Sequence, residues 1–477
     1  MVKKHFYITT TAPYVNADPH IGFALEIVQT DVIARFHRLI GDDVAFGFGT
    51  DEHGLKIYRE AIKAKKDPLK YCDQYAKKFD DLKKALNLST THFIRTTDPE
   101  HIKAAQYFWT RCFKNGDIYK KNYRIKYCVG CELEKTDSEL ENGLCPLHPN
   151  LKIEIYDEEN YFFRFSKYQK KLLELYEKNP DFVIPKNRLL EIKTFVEKGL
   201  EDFSISRLKK KMPWGIDVPG DQDHVIYVWF DALVFYISIL GWPNNEKEFT
   251  KWWPGFQTAG KDNLRQQTAI WQAMLMSAGL PNSKQVFIHG FITADGKKMS
   301  KSLGNVINPF HLVKKYGVDA VRYYLLREIP PADDGDFSYR RMKEIYNADL
   351  ANELGNLVSR LTNLGEIDGL EIKDKFSTGS NFKYPSSEVE KQFNNFQFNL
   401  TMENIWSQIK KLNKQIDDFA PWNKKKEERK EFLLQSINTL KSIGWQLQPF
   451  LPETADKINK STQGKIKKIT PLFPRLT

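Results

Sequence analysis

Near the N-terminus, compact apolar runs alternate with a stretch of helical spacing. Residues 6–10 and 44–48 are short apolar runs, which predict buried strands. Between them, apolar side chains recur every three or four positions from about Pro19 until Gly41, which predicts a helix. A second helix is expected after the polar segment 49–54. This β-α-β-α order predicts a parallel sheet whose ligand crevice lies beyond the carboxyl ends of its strands.

The alternation is interrupted once and then resumes. Residues 116–220 lack it and are predicted to be an insertion. Strand-like runs return at 224–230 and 286–289. The α/β domain is therefore expected to consist of two halves, 1–115 and 221–339, that contribute to one sheet.

Residues 340–477 are almost wholly helical in the spacing of their apolar positions. One apolar stripe consists of Leu350, Leu354, Leu357, Val358 and Leu361. The C-terminal segment is therefore expected to form a separate α-helical domain.

Composition indicates a folded chain with a polyanionic partner. Of the 477 residues, 41% are apolar and 13% are aromatic, proportions typical of folded domains rather than disordered chains. The net charge of +11 favours a partner such as nucleic acid, because lysine and arginine neutralise phosphates. A generally basic proteome would produce the same charge and is the alternative explanation.

Neither export nor membrane insertion is expected. Residues 1–10 contain no apolar signal region. The most apolar stretch, 225–242, is interrupted by Asp231 and is shorter than the roughly 20 residues of a membrane-spanning helix. A cytoplasmic protein without membrane contact is predicted.

Three of the five cysteines lie in one short segment with a histidine. C-x-x-C followed by C-P-L-H supplies three thiolates and one imidazole on two turns, which completes a tetrahedral Zn²⁺ site without an open position. The predicted ligands of this one structural ion are Cys128, Cys131, Cys145 and His148. Cys72 and Cys112 stand alone, which indicates a reducing compartment rather than a disulfide framework. Unpaired reactive cysteines are the alternative.

Two further motifs have the chemistry of nucleotide binding. The H-I-G sequence at 20–22 lies at a predicted helix start, where free N–H groups favour phosphate, although the pattern alone is common in structural positions. The run GKKMSKSLGN at 296–305 places lysines on a small loop that can close over a triphosphate. Lys301 is expected to make the strongest contact with the leaving pyrophosphate, and Lys298 the next. A solvated basic turn is the alternative interpretation of this run.

Along nearly its whole length, the chain resembles the methionyl-tRNA synthetases, a family of class I aminoacyl-tRNA synthetases. The segments TAPYVNADPHIG, GTDEHG, YVWFDALVFY, GKDNLRQQTAIW, KMSKS and APW occur in the family's order. The resemblance implies a Rossmann-type doubly wound parallel sheet split by a zinc-binding insertion, followed by an α-helical bundle that binds the anticodon. It also implies ATP-dependent activation of methionine to methionyl-adenylate and transfer to the 3′ end of tRNA(Met), with Mg²⁺ accompanying ATP.

By this resemblance, roles can be assigned to individual positions. The catalytic and ATP-binding residues would be His20, Gly22, Lys298, Ser300 and Lys301. Asp51 would hold the ammonium group of methionine. The other methionine-binding residues would be Ala12, Tyr14, Trp229, Ala232, Tyr236, Gln267 and Trp271. The anticodon-binding residues would be Asn356, Arg360 and Trp422.

Three positions depart from the family's pattern. Phe23 stands where a second histidine is usual, Gln267 where histidine is common, and Leu233 where proline is frequent. Phe23 either packs at its helix or marks an inactive site, so a non-catalytic paralogue that binds tRNA is the alternative function. Two further alternatives are another class I ligase, such as one for cysteine, and a zinc-dependent RNA-binding protein. The insertion is shorter than the editing domains of the valine, isoleucine and leucine relatives, which disfavours those three specificities. Separately, a monomer is expected.

Overall fold

The computed structural model describes residues 4–135, 139–299, 304–372 and 386–476. Its strands, in chain order, are β1 (His5–Thr9), β2 (Asp43–Thr50), β3 (His92–Arg95), β4 (Ile118–Cys128), β5 (Leu133–Glu134), β6 (Glu154–Phe163), β7 (Val183–Ile184), β8 (Phe203–Ser204), β9 (Ser206–Leu208), β10 (Asp217–Val218), β11 (Asp221–Ile226), β12 (Phe256–Gly260), β13 (Gln285–His289), β14 (Ile292–Ala294), β15 (Gly335–Phe337), β16 (Glu371–Ile372) and β17 (Gly464–Lys465).

The α-helices are α1 (Ile21–Leu39), α2 (Leu55–Lys63), α3 (Pro68–Ala85), α4 (Pro99–Lys114), α5 (Gln169–Lys178), α6 (Lys186–Glu197), α7 (Val228–Ala232), α8 (Phe235–Ser238), α9 (Glu246–Trp252), α10 (Trp271–Ser277), α11 (Pro309–Tyr316), α12 (Val318–Tyr323), α13 (Tyr339–Ile345), α14 (Asn356–Ile367), α15 (Ser387–Asn394), α16 (Phe398–Phe419), α17 (Lys426–Gln446) and α18 (Pro452–Ser461). π-Helical segments join some of them, at Gln266–Ile270, Tyr324–Glu328 and Tyr346–Gly355.

Six parallel strands form the central sheet, in the order β3-β2-β1-β12-β13-β7. β1 lies inside the sheet, between β2 and β12. The predicted parallel sheet is confirmed. The runs predicted as strands at 6–10, 44–48 and 286–289 correspond to β1, β2 and β13, with ends that differ by one or two residues.

The apolar stretch 225–242 differs in part from the prediction. It passes from a strand into helices, as expected, but the strand is β11, which pairs antiparallel with β9 and β10 outside the central sheet. The main-sheet strand of the second half is instead β12, which precedes β13. A short apolar run is buried in either setting, so its sequence does not reveal which sheet it joins. None of the helices in the described segments combines the length and apolar composition that crossing a bilayer requires.

The predicted insertion 116–220 is not one structural unit. β4 and β6 form a long antiparallel pair, and with β5 and β8 they make a four-stranded sheet that carries the cysteine segment. β7 lies in the same range, yet it pairs with β13 at the edge of the central sheet. A strand of two residues has no periodicity that a sequence could reveal. The residues around β7 therefore belong with the central sheet.

Helix α1 lies in the core of the molecule. Most of its side chains are buried, including the polar residues Glu26, Gln29 and Asp31. One apolar cluster unites α1 with β1, β2 and the C-terminal helices. All members of the predicted C-terminal stripe are buried in that cluster: Leu350, Leu354, Leu357, Val358 and Leu361. The C-terminal helices thus pack directly on the α/β part.

A buried ion pair fastens α1 to the C-terminal part. Asp31 accepts a hydrogen bond from Nη1 of Arg322 at 2.8 Å. The same guanidinium donates to the backbone carbonyls of Phe450 and Pro449 at 2.8 and 2.9 Å. Burial alone would raise the pKa of Asp31, but Arg322 and Arg35 hold that pKa below its ordinary value.

Candidate active site and metal centre

His20 caps the first turn of α1. Its Nδ1 accepts a hydrogen bond from the backbone N–H of Gly22 at 3.0 Å. Because Nδ1 is an acceptor, the proton of the neutral ring is on Nε2, which can donate to a ligand in front of the helix. Desolvation by the surrounding protein lowers the pKa of His20, so the neutral form prevails at neutral pH.

Gly22 permits this position of the imidazole. A Cβ atom at residue 22 would lie 2.8 Å from Cε1 of His20 and 2.9 Å from its Nδ1. Both distances are shorter than side-chain carbon atoms tolerate without movement. The spacing of the H-x-G pattern therefore has a local steric reason.

Phe23 is a core residue. Its ring is buried and meets Phe79 of α3 edge to face, with 5.5 Å between the ring centres. This is the packing that one of the two interpretations of the sequence predicted for Phe23. The departure from the family's second histidine therefore leaves α1 well packed.

One flank of the lysine loop meets the start of α1, and the other is held beside β14 and β15. The backbone N–H of Ile21 donates to the carbonyl of Ile307 at 2.9 Å. On the other side of the loop, the Gly296 N–H donates to Asp336 at 2.8 Å, next to the paired strands β14 and β15. Lys298 is exposed, and its carbonyl accepts from the Asn305 side chain at 3.2 Å. The predicted residues Ser300 and Lys301 lie outside the described residues.

Asp51 stands at the carboxyl end of the buried run of β2. It pairs with Tyr14 through backbone hydrogen bonds of the adjoining residues, from the Val15 N–H to the Asp51 carbonyl and from the Asp51 N–H to the Pro13 carbonyl. Its side chain is buried, and Oδ1 has no hydrogen-bond partner within the described parts of the chain. Burial raises the pKa of Asp51 well above its ordinary value, and nearby Asp231 adds to the shift. A cationic ligand would relieve both effects.

Two histidines and an aspartate form a buried network near Asp51. Asp231 lies 3.0 Å from Nδ1 of His53 and 3.3 Å from Nε2 of His101. Burial would raise the pKa of Asp231, but the two histidines hold that pKa below its ordinary value. The sequence interpretation gave no role to any of the three. Only the position of His53 and Asp231 inside quoted motifs could have drawn attention to them.

Aromatic side chains are prominent among the residues predicted to bind methionine. Tyr236 and Trp271 are buried, with 5.9 Å between their ring centres, and Ala12 packs against the same apolar cluster. Ala232 is buried at the last position of α7. Leu233, which differs from the family's frequent proline, is buried directly after that helix. Three polar atoms of the residues predicted to bind methionine are buried and have no hydrogen-bond partner among the described residues: Trp229 Nε1, Gln267 Oε1 and Trp271 Nε1. Buried polar atoms normally have partners, so a bound ligand would satisfy these.

The four predicted metal ligands converge on one point. One donor atom from each of Cys128, Cys131, Cys145 and His148 lies within 4.8 Å of all the others. Nδ1 of His148 is 3.1 Å from Sγ of Cys131, which is 3.5 Å from Sγ of Cys145. A Cβ atom at Gly130 would approach the His148 ring to 2.4 Å, so glycine allows the ring to enter the group. Three thiolates and one imidazole fit a tetrahedral Zn²⁺ ion.

The sequence has many known relatives. The family model for class I tRNA synthetases (M) matches residues 6–152 and 134–362. The methionine–tRNA ligase of Thermotoga maritima is 41% identical over 470 residues, which are 95% of this chain and 74% of that relative. The methionine–tRNA ligase of Rickettsia felis is 42% identical over 473 residues, 96% of this chain and 92% of that relative. The chain belongs to the methionine–tRNA ligase family.

A solved structure of the same family has the same fold. Mycobacterium tuberculosis methionyl-tRNA synthetase in complex with methionyl-adenylate superposes with a TM-score of 0.91 at 35% identity, covering 99% of this chain and all of that one. The predicted family, class I fold and ligase activity are confirmed. As a methionine–tRNA ligase, the chain activates methionine and charges tRNA with it. The cysteine-ligase and RNA-binding alternatives are wrong.

A methionine–tRNA ligase also needs a surface for tRNA, and the predicted anticodon residues lie in the C-terminal helices. Trp422 is 54% exposed, which is unusual for so large an apolar side chain. The guanidinium of Arg360 lies 5.4 Å from the centre of its indole ring and forms an ion pair with Asp417 at 2.6 Å. Asn356 is exposed and precedes Arg360 by one turn of α14. The three predicted residues thus share one neighbourhood.

Proposed function

We propose that the chain charges tRNA(Met) in two steps within the crevice between His20 and Asp51. The carboxylate of methionine attacks the α-phosphate of ATP, which forms methionyl-adenylate and releases pyrophosphate. The terminal ribose hydroxyl of the tRNA then attacks the acyl carbon, and AMP leaves. The observation that supports this proposal most directly is the buried Asp51 carboxylate, whose Oδ1 has no partner in the part of the chain that the structure describes. The domains assigned to this chemistry are 1–115 and 221–339.

In this proposal, α1 and the lysine loop act on the phosphates. Nε2–H of His20 donates to phosphate oxygens, and the positive end of the α1 dipole attracts their negative charge. Gly22 leaves room for His20. Lys298 and Lys301 supply positive charge to the leaving pyrophosphate, and Ser300 belongs to the same ATP-binding loop. Mg²⁺ enters as the counterion of ATP.

The amino-acid pocket would select methionine by charge at one end and by polarizability at the other. Asp51 binds the ammonium group, and the aromatic side chains favour an unbranched thioether. The proposed wall residues are Ala12, Tyr14, Trp229, Ala232, Tyr236, Gln267 and Trp271. Gln267 replaces the family's frequent histidine beside Tyr236, and its side-chain amide hydrogen-bonds that tyrosine, which acts against the rise of the Tyr236 pKa caused by burial.

The cysteine segment would hold one structural Zn²⁺ through Cys128, Cys131, Cys145 and His148. Its four donors leave no position for a substrate, so the ion organises the segment and takes no part in the chemistry. All five cysteines are free thiols, which agrees with a cytoplasmic enzyme.

Residues 340–477 would read the anticodon. Trp422 offers a face on which an unpaired base can stack, and Asn356 and Arg360 can donate to base edges. A single chain then holds the phosphate site, the methionine pocket and the tRNA surface, so we propose that it acts as a monomer.

Amino-acid-dependent ATP–pyrophosphate exchange tests the activation step. The purified, metal-loaded chain is screened with all twenty amino acids, beside Lys301→Ala and a matched surface control, Lys210→Ala. Exchange with methionine alone, lost in Lys301→Ala and kept in Lys210→Ala, is the expected result. No exchange with any amino acid by the folded, metal-loaded chain would overturn the proposal.

The tRNA surface is tested separately from activation. Trp422→Ala should raise the KM for tRNA in aminoacylation by about tenfold to a hundredfold, the range expected from loss of one stacked base. Its exchange activity should equal that of the parent. Tyr339→Ala, which removes another exposed aromatic side chain, is the control, and an equal loss in both variants would contradict the assignment.

A further inference from the structure

Glu132 follows the predicted zinc ligand Cys131 but turns away from the metal donors. Its residue is 4% exposed. Its backbone has φ of +53°, a left-handed conformation that non-glycine residues seldom adopt. This conformation directs the carboxylate toward the methionine pocket, as its contacts show.

The Glu132 carboxylate is held by donors from three elements. Oε1 accepts from the backbone N–H of Lys56 at 2.5 Å and lies 3.1 Å from the hydroxyl of Tyr14. Oε2 accepts from the hydroxyl of Tyr127. The backbone carbonyl of Glu132 accepts from the hydroxyl of Tyr227, which directly precedes α7.

Two of these donors border the proposed ammonium site. Tyr14 pairs with Asp51 through the backbone, and its hydroxyl also lies 2.9 Å from the carbonyl of His53. Lys56 is in the first turn of α2, which follows the loop that Asp51 begins. Glu132 therefore contacts both chain segments that adjoin Asp51, on the side facing the cysteine segment.

The packing around Glu132 reinforces the same connection. A small apolar cluster contains Tyr127 of β4 and Tyr227, with Tyr14 and Trp229 packed against it. Lys56 donates through its ammonium to the carbonyl of Gly130 at 3.3 Å. The turn that carries two predicted zinc ligands is thus seated directly on the proposed methionine site.

We propose that Glu132 is a positioning residue for methionine activation, which couples the folded cysteine segment to Tyr14 and the Asp51 loop. This inference rests on the proposed roles of Tyr14 and Asp51 in binding methionine. Zn²⁺ binding fixes the turn that carries Glu132, and Glu132 fixes the hydroxyl of Tyr14. Methionine then binds more tightly to the metal-loaded chain than to the metal-free chain.

Steady-state exchange kinetics separate positioning from general stability. Glu132→Ala removes the acceptor and should raise the KM for methionine by about tenfold or more, the effect of one lost charged hydrogen bond. The KM for ATP should stay near that of the parent. Glu132→Gln keeps an acceptor oxygen for Tyr14 and should restore most of the methionine affinity.

A matched control removes the carboxylate of Asp202, which is also held by several hydrogen bonds but does not contact the proposed methionine site. Asp202 accepts from the hydroxyl of Tyr119 and from the N–H and hydroxyl of Ser166, away from the pocket. Asp202→Ala should lower stability without a change in the KM for methionine. Equal changes of both KM values in Glu132→Ala, with no rescue by glutamine, would overturn the proposal.

A double-mutant cycle tests whether Tyr14 is the route. Tyr14→Phe removes the hydroxyl that Glu132 contacts, so the double variant Glu132→Ala, Tyr14→Phe should bind methionine no more weakly than Glu132→Ala alone. Additive losses would show that the two residues act independently and would contradict the proposed route.

Equilibrium binding tests the metal coupling without catalysis. Calorimetric titration with methionine alone compares the Zn²⁺-loaded and chelator-stripped chains, for the parent and for Glu132→Ala. Stripping should weaken binding to the parent by about tenfold and change binding to Glu132→Ala little. Equal affinity of both forms of the parent would refute the coupling. If the loaded parent binds no methionine at all, the proposed function itself fails, which is a distinct result.

Discussion

At the residue scale, the candidate site contains buried polar atoms that have no partner among the described residues. Asp51 Oδ1, Trp229 Nε1, Gln267 Oε1 and Trp271 Nε1 belong to this group. Each unsatisfied buried atom destabilises the free protein by about 1–3 kcal/mol. In such a site, the substrate supplies the missing hydrogen bonds, and the free protein is less stable than it would be if its own groups supplied them.

Asp51→Asn should separate binding from stability. Because the folded pKa of Asp51 lies well above the ordinary value of 3.8, its ionisation destabilises the fold at pH 7, and that effect fades as the pH falls toward 3.8. The asparagine variant should therefore melt at a higher temperature than the parent at pH 7.5, with a smaller gain near pH 5. Its methionine affinity should fall by about a hundredfold or more, since the ammonium loses its counterion.

Thermal unfolding at several pH values and calorimetric methionine binding check this prediction. Asp456→Asn, which changes an exposed carboxylate, should alter neither quantity. A lower melting temperature for Asp51→Asn at pH 7.5 would refute the argument from burial.

Gly22→Ala should displace His20 without unfolding the chain. The added Cβ would lie 2.8 Å from Cε1 of His20, so the imidazole must leave its position over the helix start. We expect kcat for exchange to fall by about a hundredfold, the usual loss for one electrostatic donor, while the melting temperature changes little. In Gly365→Ala, where the added Cβ on α14 would clash with Ile466, the residue after β17, exchange should survive and stability should fall. Full activity in Gly22→Ala would count against a role for His20.

At the element scale, the cysteine segment contains little regular secondary structure among its described residues. It extends from β4 and the two-residue strand β5, and its second pair of predicted ligands lies on a turn with two isolated bridges, Glu141 to Leu144 and Cys145 to His148. Segments of this kind take their stability from the metal, so that binding and local folding are one equilibrium.

Cys145→Ser should therefore lose bound zinc and unfold this segment. The parent should contain one Zn²⁺ per chain by atomic absorption, and the variant clearly less. Hydrogen exchange should rise at the end of β4 and at Glu132 but not in the central sheet. Cys112→Ser, at a buried thiol outside the ligand group, should keep its zinc. Full zinc content in Cys145→Ser would disprove the ligand assignment.

Comparison of sequence and structure shows which elements a local pattern can reveal. α1 was predictable because it is long enough to display the helical period and is followed closely by Gly41, and β1 and β2 were predictable because each is a compact apolar run. β7 has only two residues and is defined as a strand by its pairing with β13, so its local sequence contains no signal that would predict it. The same holds for Glu132 and His101, whose polar character looks like that of surface residues until the fold buries them. His20 could be found from its place at a predicted helix start, whereas the role of Asp51 came only from the family motif that contains it.

At the scale of the whole molecule, Arg322 joins the catalytic core to the C-terminal helices. Its guanidinium reaches Asp31 of α1, the helix that begins at the phosphate site, and the carbonyls before α18. A buried charge in such a place fixes one arrangement of the two regions, because any other arrangement would leave it unpaired.

Arg322→Ala should destabilise the chain by about 3–5 kcal/mol. The substitution removes a partner of Asp31 and leaves the buried carbonyls of Phe450 and Pro449 without their guanidinium donor. Urea unfolding followed by circular dichroism measures this change. Arg340→Ala removes an exposed partner of Glu344 and should leave the midpoint unchanged. A small effect at Arg322 would mean that water or neighbouring donors replace it.

The place of β1 in the sheet has a consequence for the nascent chain. Of its two neighbours, β2 follows soon after it, but β12 leaves the ribosome only after the whole cysteine segment has been made. Until then, one side of β1 is an open edge with unpaired backbone groups, able to pair with other unfinished chains. Translation of residues 10–256 is therefore the period in which this enzyme most needs a chaperone.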